Sequence, residues 1–179
     1  MKGCDFMIQF KLTVSTSHYE SQPIDLRFVL PMTEEAFQEK TQKFGDKEYF
    51  ITDVVDAYGL HIDEFTNLKC LNEFANFLNE NDIDADTLRA ITLVEDTSLD
   101  RIQQVLEEET YSIIAAKDVY TDKHADLAWT LYSEGMLDLS LPEDLIDKGY
   151  IDWSAIGRDE EINGSWNYSS MFESFIRVW

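Results

Sequence analysis

Acidic side chains run through the whole of this chain instead of gathering in a tail, and that property limits what it can fold into. Asp and Glu number 36 against 14 Lys and Arg, a formal charge of −22 over 179 residues. Divided after residues 60 and 116, the three stretches carry net charges of −4, −10 and −8. Like charges at this density repel one another and weaken any compact state. An acidic disordered polymer would be the simple outcome, yet 44% of the residues are hydrophobic and 13% aromatic, which is core material. The acids must therefore alternate with buried positions and face outward. Halophilic adaptation does not explain the excess, because nine of the 14 bases are Lys and large apolar residues are abundant. A surface field of this sign repels nucleic acid and anionic membrane and attracts a basic protein surface.

No apolar run approaches the roughly 20 residues that span a bilayer, and residues 1–5 do not lead into a signal-peptide core, so a cytoplasmic protein is expected. Cys4 and Cys70 lack partners at metal-ligand spacing and do not make a disulfide framework. Cys70 falls on a helical pattern, where a buried thiol is expected.

The periodicities predict an α+β chain. Residues 7–15 (MIQFKLTVS) and 24–31 (IDLRFVLP) read as antiparallel strands, followed by a helix over 33–44 capped by Thr33 and stopped by Gly45, and a third strand over 48–58. Apolar residues recur at helical spacing over 67–78, with further helices at 84–94 and 97–108, where Thr97 and Asp100 have capping-box spacing. A β-prone run over 110–116, a helix over 122–134 ended by Gly135, a capped start in SLPEDLIDKG, a short helix over 152–156 and one or two terminal strands complete the pattern. The grouping suggests three small domains in an elongated chain: a β-sheet domain with one helix over 1–60, an acidic helical domain over 61–116, and an α+β domain over 117–179 with candidate dimer contacts around Trp129, Tyr132, Trp153 and Trp166.

Catalytic constellations are missing from the pattern. Asp82, Asp84 and Asp86 copy positions 1, 3 and 5 of a calcium loop, but position 6 is Thr87 where a Gly is needed and position 12 is Leu93 where a bidentate Glu is needed, so an acidic helix cap is the better reading. His18, His61 and His124 are isolated from any second ligand at zinc spacing. There is no nucleophile elbow and no glycine-rich phosphate loop, and carboxylate pairs are too numerous for one to be singled out. Neither an enzyme nor a cofactor is expected.

What remains is the ensemble of acids. Duplex DNA presents one charge per about 1.7 Å of axis, so 22 uncompensated carboxylates match roughly 37 Å of duplex, and a homodimer twice that. Carboxylates at phosphate-like intervals can occupy a groove lined with Lys and Arg. The candidate phosphate-mimicking surface is Asp82, Asp84, Asp86, Glu95, Asp96, Asp100, the triplet Glu107, Glu108 and Glu109, then Asp118, Asp122, Asp126, Glu134, Asp138, Glu143, Asp144, Asp147, Asp152, and the triplet Asp159, Glu160 and Glu161. An acidic module docking on another kind of basic surface is the alternative.

The segment 149–166, GYIDWSAIGRDEEINGSW, resembles the C-terminal signature of the ArdA antirestriction proteins, through Tyr150, Ile151, Asp152, Trp153, Gly157, Arg158, Asp159 and Gly164. HADLAWTLYSEGMLDLSLPEDLIDKG resembles the helix-loop-helix that precedes it, and EYFITDVVDAYGLHIDEFTNLKCLNEFANFL the passage between the first two domains. The likeness covers residues 24–179. It implies three small domains in a curved, DNA-like homodimer that fills the DNA-binding site of Type I restriction-modification enzymes, with their methyltransferase and specificity subunits as partners and no direct binding of nucleic acid or membrane. Another DNA-binding defence system, such as a CRISPR effector, is open to inhibition by the same physics.

Overall fold

Strand β1 (Phe10–Thr16) shows why the first sheet forms. Phe10, Leu12 and Val14 alternate with more exposed positions and are buried to 2% or less, so one pleat face supplies a core. In the computed structural model, which describes residues 7–16, 22–116 and 122–179, β1 is the central strand between β2 (Asp25–Leu30) and β3 (Tyr49–Val54), antiparallel to both. The pairing to β3 slips between Thr13 and Val14. Helix α1 (Glu34–Thr41) begins at Thr33, whose hydroxyl accepts from the Ala36 N–H, and it runs into a 3-10 turn over Gln42–Phe44. Phe37 and Phe44 from this segment close over Phe28, at ring-centroid distances of 6.2 and 6.4 Å.

The chain divides into two compact units, Met1–Gln104 and Val105–Trp179. Within the first, α2 (Leu68–Glu80) buries Leu68, Leu71, Phe74, Ala75 and Leu78 along one stripe. Two asparagines on this helix reach the backbone of the sheet segment. Asn72 accepts from the Met32 N–H at 2.7 Å and donates to the Met32 carbonyl at 3.1 Å, and Asn79 does the same to Ile8 at 3.0 and 3.1 Å. Each side-chain amide thus satisfies a backbone donor and acceptor as a neighbouring strand would, without adding charge. Helices α3 (Ala85–Thr92) and α4 (Leu99–Glu107) follow.

The second unit is a three-stranded antiparallel sheet of order β4-β6-β5, made of β4 (Tyr111–Ala115), β5 (Asn167–Ser169) and β6 (Ser174–Val178), with α5 (Lys123–Ser133), α6 (Glu143–Asp147) and α7 (Trp153–Asn163). Helix α5 serves two cores. Leu127 and Leu131 pack with Ile114, Trp166 and Phe175 from the sheet side, while Ala125 and Ala128 pack with Trp153 of α7. The fold is α+β, as the periodicities imply.

Four expectations change. Cys70 is exposed, because it lies roughly 110° round α2 from the middle of the buried stripe. Helix α4 begins at Leu99, so Ser98 and not Thr97 precedes it, and Asp96 accepts the Ser98 N–H. Helix α7 continues to Asn163, well past residue 156, with Gly157 inside it. Of the aromatics considered for dimer contacts, Trp153 and Trp166 are buried core, and Trp129 and Tyr132 are half-buried against Trp153 at centroid distances of 5.3 and 5.2 Å. Cys4 and His18 lie outside the described residues.

Replacing Asn72 by Ala strands the Met32 backbone groups at a site where the amide is 4% exposed, and should cost about 2 kcal/mol. Urea unfolding should show a lower midpoint at unchanged slope. The half-buried Asn79 should cost less when replaced by Ala, because water can reach Ile8 in its place.

Candidate functional site

The elements place most of the candidate acids on the outside. Asp82, Asp84, Asp86, Asp96, Asp100, Glu107, Glu108, Glu109, Glu134, Asp138, Glu143, Asp144, Asp147, Asp152 and Asp159 are exposed, and Glu95, Asp122, Glu160 and Glu161 are half-buried. Asp126 is buried to 2% on α5, so it leaves the surface set. Its position one turn inside the helix, between Ala125 and Leu127, puts it on the core stripe. Asp118 lies outside the described residues.

Several of these carboxylates hold the fold as well as the field. Asp84 caps α3, accepting from the Thr87 N–H at 2.7 Å and the Thr87 hydroxyl at 3.1 Å. Asp152 caps α7 through the Ala155 N–H at 2.9 Å, and Asp122 caps α5 through the His124 N–H at 3.0 Å. Negative charge at a helix N-terminus is favourable, so the acids relieve part of the repulsion they create. Glu95 takes a 2.9 Å contact from Arg101, which, with the Asp96 N–H, holds its carboxyl below the usual range. Asp96 is lowered too, first by the Ser98 N–H. Among the described residues, no three Asp, Glu, His or Cys stand close enough to hold a metal ion.

Some cations pair with acids, as Lys69 does with Glu73 at 3.7 Å and Lys148 with Asp144 at 3.6 Å, and others lie on rings. Lys40 lies over the Phe28 ring at 5.0 Å, Lys123 over Tyr168 at 3.7 Å, and Arg177 between Trp166 and Trp179 at 5.7 and 5.4 Å. Arg89 reaches Asp56 at 2.7 Å while stacking 5.0 Å over Tyr58. The sequence list also stopped short: Glu34, Glu35, Glu39, Asp46, Glu48 and Asp53 are as exposed as the acids it named. Glu34, Glu35 and Glu39 lie on α1 and Asp53 on β3, while Asp46 and Glu48 lie in the connection between those two elements.

The 149–166 segment has a packing role that its spacing alone did not disclose. A Cβ on Gly157 would stand 1.8 Å from the backbone carbonyl oxygen of His124, so α7 meets the first turn of α5 at a distance only glycine permits. Around that contact the Ser154 hydroxyl donates to Asp122, Arg158 donates to Ser154 Oγ at 2.9 Å, and Glu161 Oε2 stands 2.7 Å from His124 Nε2. Ser154, Gly157, Arg158 and Glu161 fall on one face of α7 by helical spacing. The Ser154 hydroxyl, then the His124 N–H, hold the Asp122 carboxyl below its ordinary range.

The family model described as antirestriction protein (ArdA) matches residues 19–172. No curated protein matches, and no solved structure matches. With nearly the whole chain covered, the protein belongs to the ArdA antirestriction family.

Two outcomes follow from the α5–α7 contact. Gly157→Ala gains about 1 kcal/mol of helix propensity but drives a methyl into a carbonyl that no rotamer change can move, so a net loss of about 3 kcal/mol is expected in chemical denaturation. On acidification, Asp122 contributes stability that is complete above about pH 4 and is lost as pH falls through its depressed folded value. Protonating exposed acids relieves repulsion and acts in the opposite sense. The difference between wild type and Asp122→Asn across an acid titration isolates the cap, and it should shrink as pH falls.

Proposed function

We propose that this protein is a non-enzymatic DNA mimic that occupies the basic DNA-binding groove of a Type I restriction-modification enzyme in the cytoplasm and blocks it. The observation that carries the reading is the exposure of 15 of the 20 described candidate acids on a chain of net charge −22, where 36 acids face 14 bases. Family membership supplies the antirestriction context. The groove accepts carboxylates where it normally meets phosphates, and the acids need only approximate phosphate spacing, since each exposed contact contributes little. Two copies of the chain, paired, double the roughly 37 Å of duplex that one charge complement matches.

Competition for a purified Type I methyltransferase complex tests it: the protein should displace a recognition-site duplex, and binding that leaves DNA occupancy untouched would sink the mimicry. Neutralising Glu107, Glu108, Glu109, Asp159 and Glu160 one after another should weaken the complex by small, similar steps. Loss concentrated at one or two positions would instead indicate an acidic docking module with hot spots. Raising salt from 0.1 to 1 M shortens the Debye length from about 10 to about 3 Å and should weaken the complex, with a shallower slope than the competing DNA because a folded surface has less condensed counterion to release.

A further inference from the structure

We propose that His124 is a protonation-dependent bolt between α5 and α7: as an imidazolium it donates from both ring nitrogens, to the carboxylate that caps its own helix and to Glu161 on the facing one, and loss of its proton releases one of the two.

The ring is 18% exposed and stands between two carboxylates, with Nδ1 3.2 Å from Asp122 Oδ1 and Nε2 2.7 Å from Glu161 Oε2. An ionised carboxylate only accepts hydrogen bonds. A neutral imidazole carries a single N–H, so one of its nitrogens would turn a lone pair toward a carboxylate oxygen. Only the cation satisfies both sides. Rotating the ring away is not a simple escape, because the His124 backbone is fixed by its contact with Gly157 and the ring lies 6.1 Å from that of Phe175 on β6.

The other charged groups at this seat leave the two carboxylates in place. On α5, Lys123 points its ammonium over Tyr168 of β5 and Phe175 of β6, and does not pair with Asp122 or Glu161 in either contact. On α7, Arg158 reaches Ser154 Oγ, whose hydroxyl is already directed to Asp122, so it reinforces the ionised cap. His61 offers the contrast: its side chain is 73% exposed and its Nε2 stands 3.7 Å from Asp63. A neutral ring can serve that contact, and nothing is bolted by it.

The sign follows from the bonding. Contacts that need the imidazolium stabilise the unit while the proton is bound and weaken when it is lost. At the acid end protonation of either carboxylate removes an acceptor, so the α5–α7 pair is fully closed only while the ring is charged and both carboxylates are ionised. Asp159 and Glu160 ride on α7, which ties the geometry of those acids to pH.

Denaturation of the intact protein between about pH 5.5 and pH 8 tests the bolt. The wild-type ratio of folded to unfolded protein should fall roughly tenfold more over this range than that of His124→Gln, the difference expected for one charge-assisted hydrogen bond. Glu161→Gln gives a second reading that does not remove the ring. Its carboxamide can donate to the lone pair of a neutral imidazole, so this variant should lose the pH slope while keeping the fold. Nitrogen NMR of the His124 ring at the acid end should show both nitrogens protonated. Parallel pH curves for wild type and both variants, or a singly protonated ring at the acid end, would overturn the proposal.

Discussion

Electrostatic self-repulsion is the constraint to which the rest of the molecule answers. With a net charge of −22, any junction made of further carboxylates would add to the force that opposes folding. The fold meets this in part with neutral devices. Asn72 and Asn79 tie a helix to backbone with amides, Gly157 lets two helices meet at backbone distance, and Phe28 gathers two neighbouring rings. Acids also enter structure, as helix caps at Asp84, Asp122 and Asp152, where the end of the helix presents positive partial charge, and as partners of Arg89, Arg101 and His124.

The cations show the same economy from the other side. A Lys or Arg placed beside each surface acid would dissipate the field; one placed on an aromatic ring keeps its charge near the core and leaves the acids uncompensated. Lys123 over Tyr168 and Arg177 between two tryptophans are arrangements of this kind. Lys69, Arg89, Arg101 and Lys148 do pair with acids, so the field is first a consequence of how few the bases are.

Much of this was legible in the sequence. The period-2 pattern around Phe10, Leu12 and Val14 and the helical stripe from Leu68 to Leu78 are local signals that burial then enforces, and both appear as read. Helix α7 runs on past residue 156 through Gly157, whose reason is a carbonyl on another helix, which no local window contains. Cys70 and Asp126 went wrong in opposite directions for one cause, since composition assigns a side chain a usual habitat and only the rotation of its helix decides the actual one. The seat of His124 was illegible for the same reason as Gly157: Asp122 is two residues away, but Glu161 is 37 residues on.

The glycine-to-carbonyl contact between α7 and α5 also bears on how such a protein changes over generations. A carboxylate on an exposed face can drift by a turn, or trade Asp for Glu, and the field is scarcely altered. Position 157 has no such freedom, because every other side chain begins with the atom that does not fit. Descent will therefore erase the placement of individual acids sooner than it erases this seam. Kinship among such chains is then written in how they close.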